Sequence, residues 1–402
     1  MSKHLPLVFL TGLFAGFVAC AGQPATSPAW DQTDFALRIF RQAAGTNGEN
    51  FILSPYSASS ALGLVASGAS GETAAEMRKM LCMSETASNS VLDVLASTRK
   101  ELLASTNETA ILETTDSLWP ALSFPIERTF MDDASDSMGA FVRPIPMDAN
   151  GQKQINDFVC EATHGRIPVT FAQPPDGATR LIVLNTVYFN GKWTKTFKKT
   201  DTSDEIFHSP EGDKKTPFLR QTEDFPYFKG EDFAILRLPY SDGAFEMAVL
   251  LPDEGTSLGA FEASLSAEKL REALASANES EYVNVELPKF EFASTIPLNA
   301  PLQAMGMKKA FSGAAEFPGI SREKGLLVSD VFQKANVTVD EEGTIAAAVT
   351  AIAMCKAMPM PREPLLFHAD RPFLFLIRHG ETGQILFIGR VTSPVPPADK
   401  KK

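Results

Sequence analysis

Cysteine and histidine are scarce in this chain, and acidic residues outnumber basic ones. Four cysteines in 402 residues, with no C-x-x-C pair or other metal-type spacing, are too few for a disulfide scaffold. Lys and Arg total 37 against 49 Asp and Glu, a net charge of -12, so the basic surplus typical of nucleic-acid binding is missing. We therefore expect no nucleic-acid partner and no disulfide-stabilised small fold.

The motifs of common enzymes are also missing. The sequence contains no G-x-S-x-G elbow, Walker loop, G-x-G-x-x-G turn or H-E-x-x-H pair. Ser321 and Lys324 have the S-x-x-K spacing of serine acyl-enzymes, but the S-D-N and K-T-G elements that accompany it are absent. We predict that the protein is not an enzyme and that it uses no cofactor or metal.

Length and composition favour one large α+β domain. Hydrophobic residues make up 44% and charged residues 21%, as in an ordinary soluble globular protein. Helical patterns dominate the first third and strand patterns the rest, which indicates segregated helices and sheets instead of alternating βα units. No long Gly/Ser linker follows residue 30, so we expect a single domain over residues 30–395 and a disordered tail over 396–402.

The N-terminal segment predicts export from the cytoplasm. A short charged start precedes an apolar run, 5–19, which is too short for a typical membrane span and predicts a signal peptide over residues 1–21. The alternatives are ordinary cleavage near the Ala-Cys-Ala around Cys20, a lipoprotein signal ending before a lipidated Cys20, and an uncleaved anchor. Residues 22–29 are expected to form a flexible tether. The protein would be secreted or extracellular, or else lipid-anchored at the cell envelope through Cys20.

Two further features concern covalent modification. Once Cys20 is set aside an odd number of cysteines remains, and these are expected to be buried or free thiols: Cys82, Cys160 and Cys355. Three N-x-S/T sequons would matter in a host that glycosylates, and they begin at Asn107, Asn278 and Asn336.

Local patterns predict several elements. Residues 181–189 (LIVLNTVYF) form a near-continuous apolar run, typical of a central strand buried on both faces. The pair Asn190-Gly191 then predicts a hairpin turn before Trp193. Thr73 and Glu76 have the spacing of a capping box at the start of a helix. Further core strands are expected over residues 245–251 and 373–377.

The most informative stretch runs from residue 338 to residue 372. Within it, the thirteen residues 343–355 form a run without charge or proline, and a proline-rich segment, 359–364, follows that must be extended. Composition leaves helix and strand both open for the run. Read as a strand, one face carries Thr344 and every second residue after it, and nothing on either face forbids burial.

Several motifs occur in a fixed order along the chain. The stretch EEGTIAAAVTA at 341–351 resembles the hinge of one family, the serpins, which are serine-protease inhibitors with a mobile reactive loop. NFILSPYS at 50–57 with GASGET at 68–73 resembles an early helical segment of that family. NTVYFNGKW at 185–193 resembles the central strand, and RPFLF at 371–375 the C-terminal strand. LPKF, MGM and FS follow in the family's order, so the resemblance covers nearly the whole chain from about residue 30.

The resemblance implies a fold and a set of functional residues. The fold would be a single monomeric domain, with helices packed around three β-sheets and an exposed reactive-centre loop. The implied hinge residues are Glu341, Glu342, Gly343, Thr344, Ala346, Ala347 and Ala348. The implied shutter residues are Ser54, Ser57, Asn185 and Gln333, with glutamine where the family usually has histidine. The implied breach residue is Trp193.

The resemblance also implies a scissile bond. The family pattern places it after the seventeenth residue counted from Glu341, which is Ala357, so the reactive bond would join Ala357 and Met358. Ala357 suits a small elastase-like pocket, whereas cleavage after Lys356 would suit a trypsin-like enzyme. Cleavage after Met358 is disfavoured because Pro359 follows.

The implied function is suicide-substrate inhibition of a serine endopeptidase outside the cytoplasm. The protease would cleave the loop, form an acyl-enzyme and remain trapped when the loop joins the main sheet as a strand. The alternative is a non-inhibitory serpin that acts as a carrier, a chaperone or a surface binding module.

Overall fold

Helices fill most of the N-terminal third of the chain, and strands most of the remainder. The computed structural model describes residues 30–45, 48–84, 90–162, 165, 171–241, 243–344 and 362–398. These described residues form nine α-helices: α1 (Gln32–Ala44), α2 (Pro55–Ser67), α3 (Gly71–Met80), α4 (Val91–Ala104), α5 (Arg128–Met138), α6 (Ala149–Ala162), α7 (Leu258–Ser264), α8 (Ala267–Ser276) and α9 (Asn299–Ala304).

The described residues also form fifteen strands, most of which follow α6. They are β1 (Phe51–Leu53), β2 (Ala110–Pro120), β3 (Phe141–Val142), β4 (Leu181–Lys192), β5 (Ser203–Ser209), β6 (Gly212–Lys229), β7 (Phe233–Pro239), β8 (Phe245–Pro252), β9 (Ser280–Pro288), β10 (Phe290–Pro297), β11 (Asp330–Val339), β12 (Gly343–Thr344), β13 (Leu365–His368), β14 (Phe373–His379) and β15 (Ile385–Val391). The α+β class is confirmed.

The sheet that carries the site has six strands in the order β10-β11-β12-β4-β2-β3. Its strand β4 pairs antiparallel with the whole of β2 and parallel with the first part of β11. Residues 181–187 of β4 are all buried, which confirms the central strand predicted from the apolar run. Part of one face packs against α6, through Ile155 and Val159.

The other strands are hydrogen-bonded in one continuous series, and the long strand β6 belongs to two layers of that series. Residues 212–226 of β6 pair with β5 and β9, and its last three residues, 227–229, pair with β7. Strand β6 thus joins a β5-β6-β9-β13 layer to a β1-β15-β14-β8-β7 layer. Together with the six-stranded sheet these make the three sheet layers that the resemblance implied.

Helix α2 lies inside the molecule. Twelve of its thirteen residues are buried, and only its C-terminal Ser67 is not. The Ser54 side chain caps its first turn by accepting a hydrogen bond from the Ser57 amide, 3.1 Å away. Helix α2 contacts β2, β4 and β15, so its first turn lies beside the centre of the six-stranded sheet.

Two local predictions are wrong, and tertiary partners explain both. Strand β4 continues through Asn190 and Gly191 to Lys192, because Gly191 pairs with Ala110 of β2 and with Thr344 of β12. The Thr73 side chain does not cap α3 but accepts a hydrogen bond from the Glu316 amide.

Glu76 also bonds outside its own helix. Its carboxylate accepts from the amides of Lys308 and Lys309. Ser321 has a structural contact as well, since its hydroxyl donates to the Pro125 carbonyl at 2.7 Å. Within the described part of the chain, no helix combines the length and apolar character needed to span a membrane.

Candidate functional site

The first two residues of the uncharged run already belong to the six-stranded sheet. Gly343 and Thr344 form β12, which lies between β11 and β4. Thr344 pairs with Val339 on one side and with Gly191 on the other. Further along, β11 and β4 pair directly over Asp330–Gln333 and Ile182–Asn185. We call this junction between β4 and β11 the seam: β12 occupies one end, and direct pairing of the two strands closes the opposite end.

A tight turn places β12 at the end of the seam. The Asp340 side chain accepts hydrogen bonds from the amides of Glu342 and Gly343, and the Asp340 amide donates to the Gly343 carbonyl at 3.1 Å. Gly343 has a φ of 156°, and a Cβ there would lie 2.0 Å from the Gly191 carbonyl oxygen. Glycine is therefore required at position 343 for β12 to approach β4.

Trp193 holds this turn against the sheet. Its indole Nε1 donates to the Asp340 carbonyl at 3.0 Å, and its main-chain amide donates to the Glu342 carbonyl at 3.0 Å. Its ring stacks on Tyr240, with centroids 4.8 Å apart and an interplanar angle of 8°. The Tyr240 hydroxyl lies 2.7 Å from the Thr344 hydroxyl, and both side chains are buried. Thr344 therefore faces the core.

The two glutamates before Gly343 have different environments. The Glu341 carboxylate is 7% exposed and accepts two hydrogen bonds from Lys289, at 2.9 and 3.0 Å, and one from Thr202. Burial opposes its ionisation, but the bonds from Lys289 and Thr202 outweigh burial and keep the pKa of Glu341 below its usual value. Glu342 faces the exposed Lys199 at 3.4 Å. Glu341 is thus the anchoring glutamate of the pair.

The closed end of the seam, opposite β12, is joined to the first turn of α2. The Gln333 side chain accepts a hydrogen bond from the Ser54 amide at 2.7 Å and donates one to the Ser54 carbonyl at 2.8 Å. All of these atoms are buried. Glutamine can make both bonds because its amide carries a donor and an acceptor side by side.

A second buried chain of hydrogen bonds runs beside the first. The Ser57 hydroxyl donates to the Asn185 side chain, which donates to Asp116 of β2, and Asp116 also accepts from Ser60. Burial raises the pKa of Asp116 to about 6, against the lowering effect of the bonds from Ser60 and Asn185. The structure thus brings Ser54, Ser57, Asn185 and Gln333 together, and adds Asp116 and Ser60.

Sequence reasoning missed several residues of this site, among them Asp116, Ser60 and Tyr240. Asp116 had a usable signal, because it interrupts the uncharged end of β2, where a buried acid needs hydrogen-bond donors. Tyr240 had none, since it follows β7 and approaches Thr344 only through the tertiary fold.

The remaining predicted loop residues lie outside the described residues. These are Ala346, Ala347, Ala348, Lys356, Ala357 and Met358. On the C-terminal side of the loop, the guanidinium of Arg362 lies 3.3 Å from Asp224 and over the Tyr282 ring. Strand β13 follows and pairs in parallel with β9. The described residues on the two sides of the loop thus lie in the six-stranded sheet, at Thr344, and beside β9, in β13.

The fold and the seam agree with what known proteins show. The family model described as "Serpin (serine protease inhibitor)" matches residues 31–394. The chain belongs to the serpin family.

Individual relatives span nearly the whole chain. The leukocyte elastase inhibitor of Sus scrofa is 36% identical over 378 residues, which is 90% of this chain and 98% of the relative. An uncharacterised serpin-like protein of Thermococcus kodakarensis is 35% identical over 370 residues, 90% of this chain and 84% of the relative. The crystal structure of the thermophilic serpin tengpin in its native state superposes with a TM-score of 0.82 at 28% identity, covering 91% of this chain and 94% of that one.

Proposed function

We propose that this serpin is exported and inhibits a serine endopeptidase, with elastase-like enzymes as its targets. The observation that carries the proposal is the position of β12. The run that would insert is already started between β4 and β11, with Thr344 buried against Tyr240. Similarity to leukocyte elastase inhibitors and the small side chain of Ala357 support the elastase-like target.

The covalent step uses the protease's own machinery. The protease serine oxygen attacks the carbonyl carbon of Ala357, the bond to the Met358 nitrogen breaks, and the proton from the serine passes to that nitrogen. An ester then joins the two proteins. The serpin supplies the substrate segment and no catalytic group.

Cleavage frees the hinge end of the loop to extend β12. Further insertion requires the direct pairs of the seam to separate, because β4 and β11 are bonded to each other at Asn185 and Gln333. Serpin loop insertion is a known case of strand addition that releases stored strain. A thirteen-residue strand spans roughly 44 Å at about 3.4 Å per residue, so the attached protease would be carried along the sheet.

The energy available is large enough to hold the protease. About a dozen new strand pairings at about 1 kcal/mol net each give on the order of ten kcal/mol. That figure rivals the stability of a typical domain, so insertion can distort an attached enzyme. The uncleaved fold is then held kinetically.

A gel experiment tests inhibition. The protein is incubated with elastase, trypsin and chymotrypsin, and the products are separated on a denaturing gel. A band at the summed mass, with its ester mapped to Ala357 after elastase treatment, is expected. Cleavage without such a band would favour the carrier, chaperone or binding-module alternative.

Thr344 offers a matched pair of variants for the same gel. Thr344→Arg should turn the inhibitor into a substrate, because a charge would have to enter the site against Tyr240. Thr344→Ser keeps the hydroxyl and should still trap elastase. Full trapping by Thr344→Arg would refute inward burial of this face.

Export needs its own test. The chain is expressed with its first 29 residues in a secreting bacterium, and the N-terminus of the product is measured by mass spectrometry. A chain beginning near residue 22 supports free secretion, and a lipid-modified Cys20 supports anchoring. An intact Met1 in the cytoplasmic fraction contradicts export.

A further inference from the structure

The layer formed by β5, β6, β9 and β13 contains a cluster of charged and titratable side chains outside the seam. Glu205 of β5, Glu286 of β9 and His368 of β13 each offer one ligand atom, and these atoms lie within 4.8 Å of one another. His368 is the last residue of β13, and its Cα pairs in register with that of Glu286. The cluster therefore joins three strands at the point where the chain returns from the loop.

The distances from the histidine nitrogen to the two carboxylate oxygens suit a metal ion. The His368 Nε2 atom lies 3.2 Å from Oε2 of Glu205 and 3.5 Å from Oε2 of Glu286. In a tetrahedral site with bonds of about 2.0–2.1 Å, neighbouring ligand atoms are about 3.3–3.4 Å apart. Imidazole nitrogen with two carboxylate oxygens is a ligand set that zinc and similar divalent ions accept.

In each of the two carboxylates, one oxygen contacts a neighbouring side chain and the other is turned toward His368. Oε1 of Glu205 faces the Arg220 guanidinium, and Oε1 of Glu286 accepts a hydrogen bond from Asn284 at 3.2 Å. The Oε2 atoms of both glutamates are turned toward His368. Arg220 and Asn284 thus orient the two carboxylates without occupying the oxygens that would bind the ion.

His368 is placed to use its Nε2 atom. This nitrogen is buried, and within the described residues it has no hydrogen-bond partner. On the other side of the ring, Nδ1 faces Oδ2 of Asp370 at 3.8 Å, and the ring packs edge-on against Phe218. An ion between Nε2 and the two carboxylates would require the tautomer with its proton on Nδ1, on the side of Asp370, and its lone pair on Nε2.

We propose that His368, Glu205 and Glu286 bind a divalent transition-metal ion of the zinc class. Such an ion would cross-link β5, β9 and β13. The site stands on these side chains alone and does not depend on the proposed inhibitory function. Because β13 follows the loop, the ion would fix the C-terminal stem of the loop.

Calorimetric titration of the tag-free full chain with zinc chloride tests the site. One saturable site per chain is expected at pH 7.5, with a rise in melting temperature that EDTA reverses. His368→Asn and Glu286→Gln should each weaken zinc binding by at least about tenfold. His208→Asn is the matched control, because the His208 side chain pairs with Asp213, which is not one of the three ligands, and the bond from its main-chain amide to the Asp370 carbonyl does not depend on the side chain.

Two results would overturn the proposal. One is the absence of saturable zinc binding by the wild-type chain. The other is zinc binding by His368→Asn and Glu286→Gln as tight as in the wild type, which would leave the cluster as an ion-pair network only. Circular dichroism checks that each variant is folded, and Glu205→Gln replaces any variant that is not.

Discussion

The side-chain amide of Asn185 donates a hydrogen bond to the buried carboxylate of Asp116 where β4 and β2 pair. Asn185 is also the residue at which β4 meets Gln333 of β11. The acid therefore contacts the strand that must move if the seam opens. Its charge state at neutral pH influences both the stability of the fold and the ease of opening.

Replacing Asp116 by Asn should stabilise the protein at pH 7.5. Burial raises the pKa of Asp116 from 3.8 to about 6, so ionising it costs more in the folded state than in the unfolded chain. The shift corresponds to about 3 kcal/mol in the free energy of unfolding. The protonated acid makes this contribution in full below about pH 4, and the contribution is lost as the pH rises through about 6. Urea unfolding should show Asp116→Asn more stable than wild type at pH 7.5 and equal to it near pH 4.

The exposed Asp204 provides the control for this comparison. Its carboxylate pairs with Lys215 at the surface. Asp204→Asn should change the free energy of unfolding by less than about 0.5 kcal/mol at both pH values. An Asp116→Asn variant that is no more stable than wild type at pH 7.5 would contradict the expected effect of burial.

Removing the lysine partner of Glu341 should be costly. Lys289→Met leaves a carboxylate that is 7% exposed without its cation, and loss of about 3 kcal/mol in the free energy of unfolding is expected. Lys199→Met, which removes the exposed partner of Glu342, should cost less than about 1 kcal/mol. Similar losses for the two variants, measured by urea unfolding at pH 7.5, would refute the anchoring role of Glu341.

The hydroxyl pair of Tyr240 and Thr344 should hold β12 in the seam. Tyr240→Phe and Thr344→Val each remove one partner, and a double-mutant cycle should give a coupling of about 1 kcal/mol. Hydrogen exchange at Thr344 should accelerate in both variants. A coupling near zero, with unchanged exchange, would mean that the turn at Asp340 alone positions β12.

Cleavage of the loop should raise the melting temperature. Insertion worth on the order of ten kcal/mol predicts a rise on the order of 10 °C after limited proteolysis at Ala357, because the entropy of unfolding of a domain this large is about 0.8 kcal/mol/K. Cleaved Thr344→Arg should show a much smaller rise, because its first inward residue cannot be buried. Equal melting temperatures for cleaved and intact wild type, measured by calorimetry, would refute the stored-energy mechanism.

Strong local patterns predicted the elements, and tertiary contacts decided the exceptions. The apolar run of β4 predicts a central strand, because an unbroken series of apolar residues indicates burial on both faces even when the neighbouring strands are unknown. Asn190-Gly191 favours a turn locally, yet pairing on both edges of Gly191 keeps it in the strand. Single-sequence patterns contain no information on such distant partners.

The sequence predicts those residues of the site that belong to recognisable motifs. Ser54, Ser57, Asn185 and Gln333 were grouped through resemblance, and the structure brings them together through two separate sets of hydrogen bonds. Gln333 bonds the main chain of Ser54 instead of the side chains of the others. Asp116, from another strand, depends on register, which a motif does not encode.

Gly343 and Gly191 approach so closely that a methyl group on Gly343 would overlap the Gly191 carbonyl oxygen. A larger residue at position 343 would push the start of the loop out of the sheet and lengthen the segment presented to an enzyme. The absence of a side chain at position 343 therefore determines how far the start of the loop is inserted into the sheet before cleavage. Exchange at this one position would tune how readily a protease captures the loop, while leaving the rest of the scaffold intact.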